Sequence, residues 1–328
     1  MATIDLNNAY YGRKWQILIS LNDGTVIDVT DSEFGDYALR AQFSIEIQGY
    51  TAITYADVTL WNLSAETDNK IGSQMSGTVI INAGYVNGAY GQIFVGQIFQ
   101  ILRGRENQGV DYTLTLHCVD GHGIYNNNVS AFTAVAGLTQ QQQIYSVCQN
   151  AKSTITVGTI TEDLDSTALP RGKVFFGEPK KYLKQIAANN NAQFYVTADA
   201  VNITKFTDTV AQTIVASPPS ADTKTLATGA TAVLIGYPQQ IPYGINATIL
   251  LNPNIKMLNP PMNIKLDQST IREQLKQIGS VPTLLEQDGI YKVAKLTHRG
   301  DTRGNEWYTD ITGIITQGMI PFNMTNPN

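Results

Sequence analysis

The strongest constraint on this chain is the period-two alternation of apolar and polar residues that runs through residues 13–130. Ala41-Gln42-Phe43-Ser44-Ile45-Glu46-Ile47 alternates without a break, and Ala56-Asp57-Val58-Thr59-Leu60-Trp61 does the same. Successive side chains of a strand point to opposite faces, so this pattern specifies half-buried antiparallel strands rather than helices. Trp15, Ile17 and Ile19 open the series, and Asn22-Asp23-Gly24 supplies a hairpin turn before the return strand Val26–Val29. Runs at 78–85, 92–98 and 111–118 bring the count to about seven strands, enough for a small β-barrel or sandwich. Ser64 stands as an N-cap before a short helix reaching Ile71.

The pattern changes over 131–205. Leu138–Ala151 reads as a helix capped by Thr139, and a second helix starts at Pro179, with Tyr182, Leu183 and Ile186 on one face. A hairpin follows over 193–205. Residues 217–231 are rich in Pro, Thr and Ala and read as an arm. Strand patterning returns from Val233, with a further helix expected over 269–278. The expected division is a first β-barrel at 1–130, an α+β insert at 131–205, a linker or arm at 206–232 and a second β-barrel at 233–328.

The two β-rich parts share a motif. Arg103-Gly104, seven residues, then Tyr112-Thr113 is matched by Arg299-Gly300, seven residues, then Tyr308-Thr309. Each copy reads as strand, polar hairpin tip, strand, which points to internal duplication. Arg103, Arg105, Glu106, Arg299, Asp301 and Arg303 gather at the tips, where arginine forks suit contacts between subunits or rings. A trimer of such a chain presents six similar modules around one axis.

Composition narrows the function. Only 15% of residues are charged against 43% hydrophobic, so much of the polar surface is Asn, Gln, Thr, Ser and Tyr, the composition of a surface covered by partners. A net charge of −5 without a basic cluster argues against sequence-specific DNA binding, although DNA can slide past a mildly acidic wall. No secretory leader and no membrane-length apolar run are visible, so the expectation is assembly in a cytoplasm without membrane insertion.

No catalytic, cofactor-binding or metal-binding constellation emerges. His122 reads as a turn residue, Glu162, Asp163 and Asp165 as an acidic loop, and Cys118 as a small core residue. Trp61 and Trp307 read as core anchors. The chain is expected to be structural and not an enzyme.

Ala56-Asp57-Val58-Thr59-Leu60-Trp61-Asn62-Leu63-Ser64, Gly84-Tyr85, Ile93-Phe94-Val95-Gly96-Gln97-Ile98 and Tyr112-Thr113-Leu114 together resemble the baseplate hub proteins of contractile-tailed bacteriophages. The order of barrel, insert and barrel resembles that family over most of the chain. The resemblance implies two tube-type β-barrels per subunit and a homotrimeric, pseudo-sixfold ring in the virion. It further implies tail tube protein on one side, a central spike protein on the other, and tape-measure protein and DNA passing through the lumen. A carbohydrate-binding β protein of a tail fibre or surface layer is the alternative expectation.

Overall fold

The protein was analysed as a computed structural model, which describes residues 10, 12–30, 39–48, 53–73, 77–121, 124, 128–152, 155–197, 200–205, 208, 212–220, 225–227, 229–255, 262–272, 285–286 and 288–315. It is mainly β. The first barrel comprises β1 (Arg13–Leu21), β2 (Val26–Thr30), β3 (Ala41–Gln48), β4 (Thr54–Trp61), α1 (Ala65–Ser73), β5 (Gly77–Tyr85), β6 (Tyr90–Glu106) and β7 (Asp111–Val119). Alternation delivers what it promised: Ala41, Phe43 and Ile45 face the core, as do Ala56, Val58 and Leu60 from β4. Ser64 Oγ accepts the Thr67 N–H at 3.1 Å and starts α1. Asn62 takes a positive φ of 55°, tolerable for Asn, where the chain leaves β4.

The insert carries β8 (Ser130–Ala134), α2 (Gln140–Gln149), β9 (Thr156–Ile160), β10 (Lys173–Gly177), α3 (Pro179–Asn189), β11 (Ala192–Thr197) and β12 (Ala200–Lys205). Thr139 and Gln142 form a capping box at the start of α2, and Pro179 occupies the first turn of α3. Both helices pack on a separate apolar core that includes Ile144, Val147, Leu183, Phe194 and Ile203.

The second barrel contains β13 (Gln212–Ser217), β14 (Ala232–Ile241), β15 (Gly244–Leu250), β16 (Met262–Leu266), β17 (Ile290–Asp301) and β18 (Trp307–Ile315). The strands bond in the cycle β16-β13-β14-β15-β18-β17, closed by β16 against β17. Gln212–Ser217, read in sequence as part of the arm, is thus a barrel strand that bonds in parallel to β16 and β14. Its inward residues Ile214 and Ala216 are buried, but six residues next to a Pro-Pro pair give a weak strand signal. Only a single 3-10 turn, Gln268–Thr270, appears at the start of the expected helix over 269–278, most of which lies outside the described residues.

The two barrels share four strands in one order; the rest of the first, β5-β1-β2, is antiparallel with no bond between β2 and β3 among the described residues, whereas the second closes through the parallel strand β13. In each, a long hairpin (β6–β7, β17–β18) has the same strand on its far side (β4, β15), which bonds in turn to β3 or β14. The hairpins share a bulge, at Phe99 and at Ala294, the same distance from the pairs that close the tips, Glu106 with Asp111 and Asp301 with Glu306. The turn out of the neighbouring strand repeats too: Asn62 N–H bonds Tyr112 O, and Leu251 N–H bonds Trp307 O. This geometry sets Arg103 against His298 and Gly104 against Arg299, one residue away from the match the motif gave. A one-residue slip turns a side chain to the other face of a sheet, so Arg103 and Arg299 are not equivalent residues despite their shared motif.

The barrels are fused. The outer half of β17 leaves β16 and pairs with β3, from Lys295 opposite Gln48 to Asp301 opposite Gln42, so one thirteen-stranded sheet runs through both. One apolar core spans the junction as well. Phe43 lies at its centre, 5.5 Å from Trp307 edge-on, with its ring on Gly300, where an added Cβ would come within 2.2 Å of the ring. Gly300→Val should therefore unfold at lower urea, with a loss of about 2–3 kcal/mol from overpacking. An unchanged midpoint would show that the ring is free to move aside.

Candidate channel face and barrel junction

Eight consecutive strands of the sheet, β14-β15-β18-β17-β3-β4-β7-β6, turn one face to the cores and the other away from them. The outward face is mostly polar, with Tyr55, Leu102 and Tyr237 exposed among its polar groups, and many of those groups pair with one another. Lys295 Nζ meets Glu46 Oε1 at 2.6 Å across the barrel junction, and Arg299 Nη2 meets Asp310 Oδ2 at 2.6 Å. Thr248 Oγ1 donates to the same Asp310 at 2.7 Å, and Thr312 Oγ1 donates to Asn246 Oδ1 at 2.9 Å. On the first barrel His117 Nδ1 lies 2.5 Å from Asp57 Oδ1, and Thr59 and Thr115 hydroxyls are 3.0 Å apart. Cross-strand pairs of this kind hold register while leaving little unpaired charge on the surface. An open groove of about 430 Å³ runs over the second barrel's share, bordered by Tyr237, Gln239, Thr297 and Thr312.

The junction between the barrels is ionic and aromatic. Arg40 bonds Asp301 through Nη2 (2.7 Å) and Nε (3.3 Å) while its guanidinium lies 4.3 Å over the Trp61 ring. Trp61 Nε1 donates to Glu106 at 3.1 Å, so both hairpin tips converge on this pair. Arg13 adds bonds to the carbonyls of Asp301 (2.7 Å) and Gly304 (2.6 Å). Burial pushes the Asp301 carboxyl up. The bonds from Arg40 and from the Arg303 and Gly304 N–H groups outweigh that and hold it below the usual carboxylate range.

The six tip residues have distinct places. Glu106 and Asp301 are brought together around Arg40 and Trp61. Arg103 instead pairs with Asp68 of α1 at 3.0 Å, and Arg105 bonds the Gly109 carbonyl of its own loop. Arg299 sits on the polar face with Glu306 and Asp310. Arg303 contributes its backbone N–H to Asp301. Arg40 and Arg13 were not marked by the sequence, because each acts on a strand distant in the chain. Trp307 is buried in the shared apolar core as expected, whereas Trp61 is buried outside that core, beneath the Arg40 guanidinium.

His298 is the other feature that sequence left unread. It is 1% exposed on β17 opposite Ile45, its Nδ1 2.9 Å from Thr309 Oγ1, and burial lowers its pKa to about 4. His122 lies outside the described residues. Asp163 pairs with Lys205 at 2.6 Å, and Asp165 holds the Thr167 turn. Cys118 and Cys148 are buried thiols, pushed up to about 12 by burial. Among the described residues no three His, Cys, Asp or Glu side chains gather as a metal site requires, and no helix is long and apolar enough to cross a membrane.

No family model matches the sequence, and no curated protein matches it. Solved structures do. The 43 kDa tail protein of prophage MuSo2 from Shewanella oneidensis is similar over 92% of this chain and 98% of its own, at a TM-score of 0.56 and 11% identity. A tail protein from Neisseria meningitidis MC58 is similar over 93% and 97%, at 0.51 and 10%. This chain has the fold of phage tail proteins. A chain of the Francisella PdpA–VgrG complex is similar over 97% of this chain and 60% of its own, at 0.53 and 7%. Likeness at such identities is a likeness of fold.

The buried imidazole gives a pH dependence with a definite sign. His298 binds its proton less tightly folded (about 4) than unfolded (about 6.5), so its neutral form supports the fold above pH 6.5. That support is lost as the pH falls from 6.5 to 4, by about 3 kcal/mol in all. Urea unfolding at stepped pH should show this slope in the wild type and a shallower one in His298→Gln; equal slopes would rule out the assignment.

Proposed function

We propose that the chain is the hub of a contractile phage tail, a structural protein without turnover. Three copies form a pseudo-sixfold ring that joins the sixfold tail tube to a threefold central spike, and DNA and the tape-measure protein pass through it. One observation carries this reading: two β units that share four strands in the same order, and a bulge at the same place, are joined edge to edge, so each chain already holds two neighbouring positions of a ring. The fold shared with phage tail proteins supports it, as does the sequence resemblance to baseplate hubs.

The eight-stranded polar face suits the lining of such a channel. Its carboxylates at Glu46, Asp57 and Asp310 are each matched by a base or a hydroxyl. Lys295 and Arg299 offset part of the negative charge of this wall, which keeps a mild negative bias that discourages DNA from sticking. The tip residues Arg105 and Arg303, at the ends of the hairpins, are proposed contacts to the next ring or subunit.

Mass photometry of the purified chain should give three chains per particle, and negative-stain images should show a ring with a central hole. A particle of one chain at every concentration, alone and with its spike, would overturn the hub reading. Saturable binding on a glycan array by that monomer would put the carbohydrate-binding reading in its place.

A further inference from the structure

The two long hairpins differ in one respect. From Lys295 to Asp301, β17 is bonded on both sides, by β18 and by β3. The matching stretch of β6, Gln100–Glu106, is bonded by β7 alone among the described residues, since β5 leaves β6 at Gln97. Burial follows the pairing. Ala294, Leu296, His298, Gly300 and Asp301 are all buried, whereas Phe99, Arg103, Arg105 and Glu106 at the matching positions are exposed and Ile101 is half-buried. Leu102 is exposed as well, at 46%.

Backbone direction agrees. Tyr112 gives its carbonyl to Asn62 on the β4 side, so opposite it Arg105 stands in a non-hydrogen-bonded pair with its N–H turned outward. Arg103 and Ile101 follow by alternation. The edge carries Arg103, Arg105 and Glu106 beside Phe99, Ile101 and Leu102, and its outward N–H and C=O groups offer a template for another strand.

We propose that this edge pairs with β14 of a second copy of the chain, repeating between subunits the contact that β17 and β3 make within one. The proposal rests on the ring reading above and names its subunit contact. β14 holds in the second barrel the place of β3 in the first: Gln239, Gln240 and Ile241 match Ser44, Ile45 and Glu46. Its outward side carries a short cover, two backbone bonds with Arg272 (N–H to Pro238 O, and O from Gln240 N–H), which the incoming strand replaces. Carried over from the internal junction, where Thr297 faces Glu46, the register sets Leu102 of one copy opposite Ile241 of the next. The contact uses different surfaces on the two partners, so it is heterologous and closes only as a ring.

The test is the full-length double variant Leu102→Cys/Ile241→Cys under mild oxidation, with the two native cysteines buried away from the oxidant. Non-reducing gels should show disulfide-linked species ending at three chains, absent from either single variant. Particles of three chains without that cross-link would overturn the edge assignment and leave the ring standing. A chain that never associates would overturn both. Arg105→Pro removes an outward N–H and is tolerable at an edge; it should keep the wild-type circular dichroism spectrum yet run as one chain. Retention of the three-chain particle by this variant would also overturn the assignment.

Discussion

Seven residues of β17 hydrogen-bonded to seven of β3 hold this molecule together as one body. Without that ladder the chain is two small β-domains and an insert; with it the barrels share a sheet, a core and an orientation. The ladder explains Gly300, which makes room for the Phe43 ring, and Arg40, whose fork closes the end of the junction on Asp301. It also explains the neutral His298. A histidine sandwiched where two barrels meet has no water to stabilise its charge, and Thr309 satisfies it as a neutral ring.

The polar face and the junction divide the work of the sheet. Inward residues are apolar and fix which strands meet, while outward residues pair across strands and fix how the surface looks to whatever passes over it. Pairing these carboxylates across strands produces a polar surface whose negative charge is partly offset.

Much of the architecture was legible in sequence because it is local. Alternation at Ala41–Ile47 and Ala56–Trp61 gave β3 and β4, Thr139 and Pro179 marked the starts of α2 and α3, and the repeated hairpins pointed to duplication. What escaped was non-local. The fusion of β17 to β3, the role of Arg40 and the closing strand β13 each depend on partners far along the chain. The motif match also misplaced the duplication by one residue, because Arg, Gly and Tyr recur in hairpin tips on both faces and only the shared bulge fixes the register. Of the six tip residues, Glu106 and Asp301 do meet around Arg40, while Arg103 and Arg299 are occupied within their own barrels.

The order of synthesis gives the fusion a further consequence. β3 leaves the ribosome roughly 250 residues before β17, an interval on the order of tens of seconds at ordinary rates of translation. Throughout it the first barrel lacks the neighbour that covers the edge of β3, and no nascent chain can complete the junction. Only a chain synthesised through β17 and β18 acquires both barrels in their final relation. A chain stopped short of β17 therefore carries an open β3 edge in place of a finished pair of barrels.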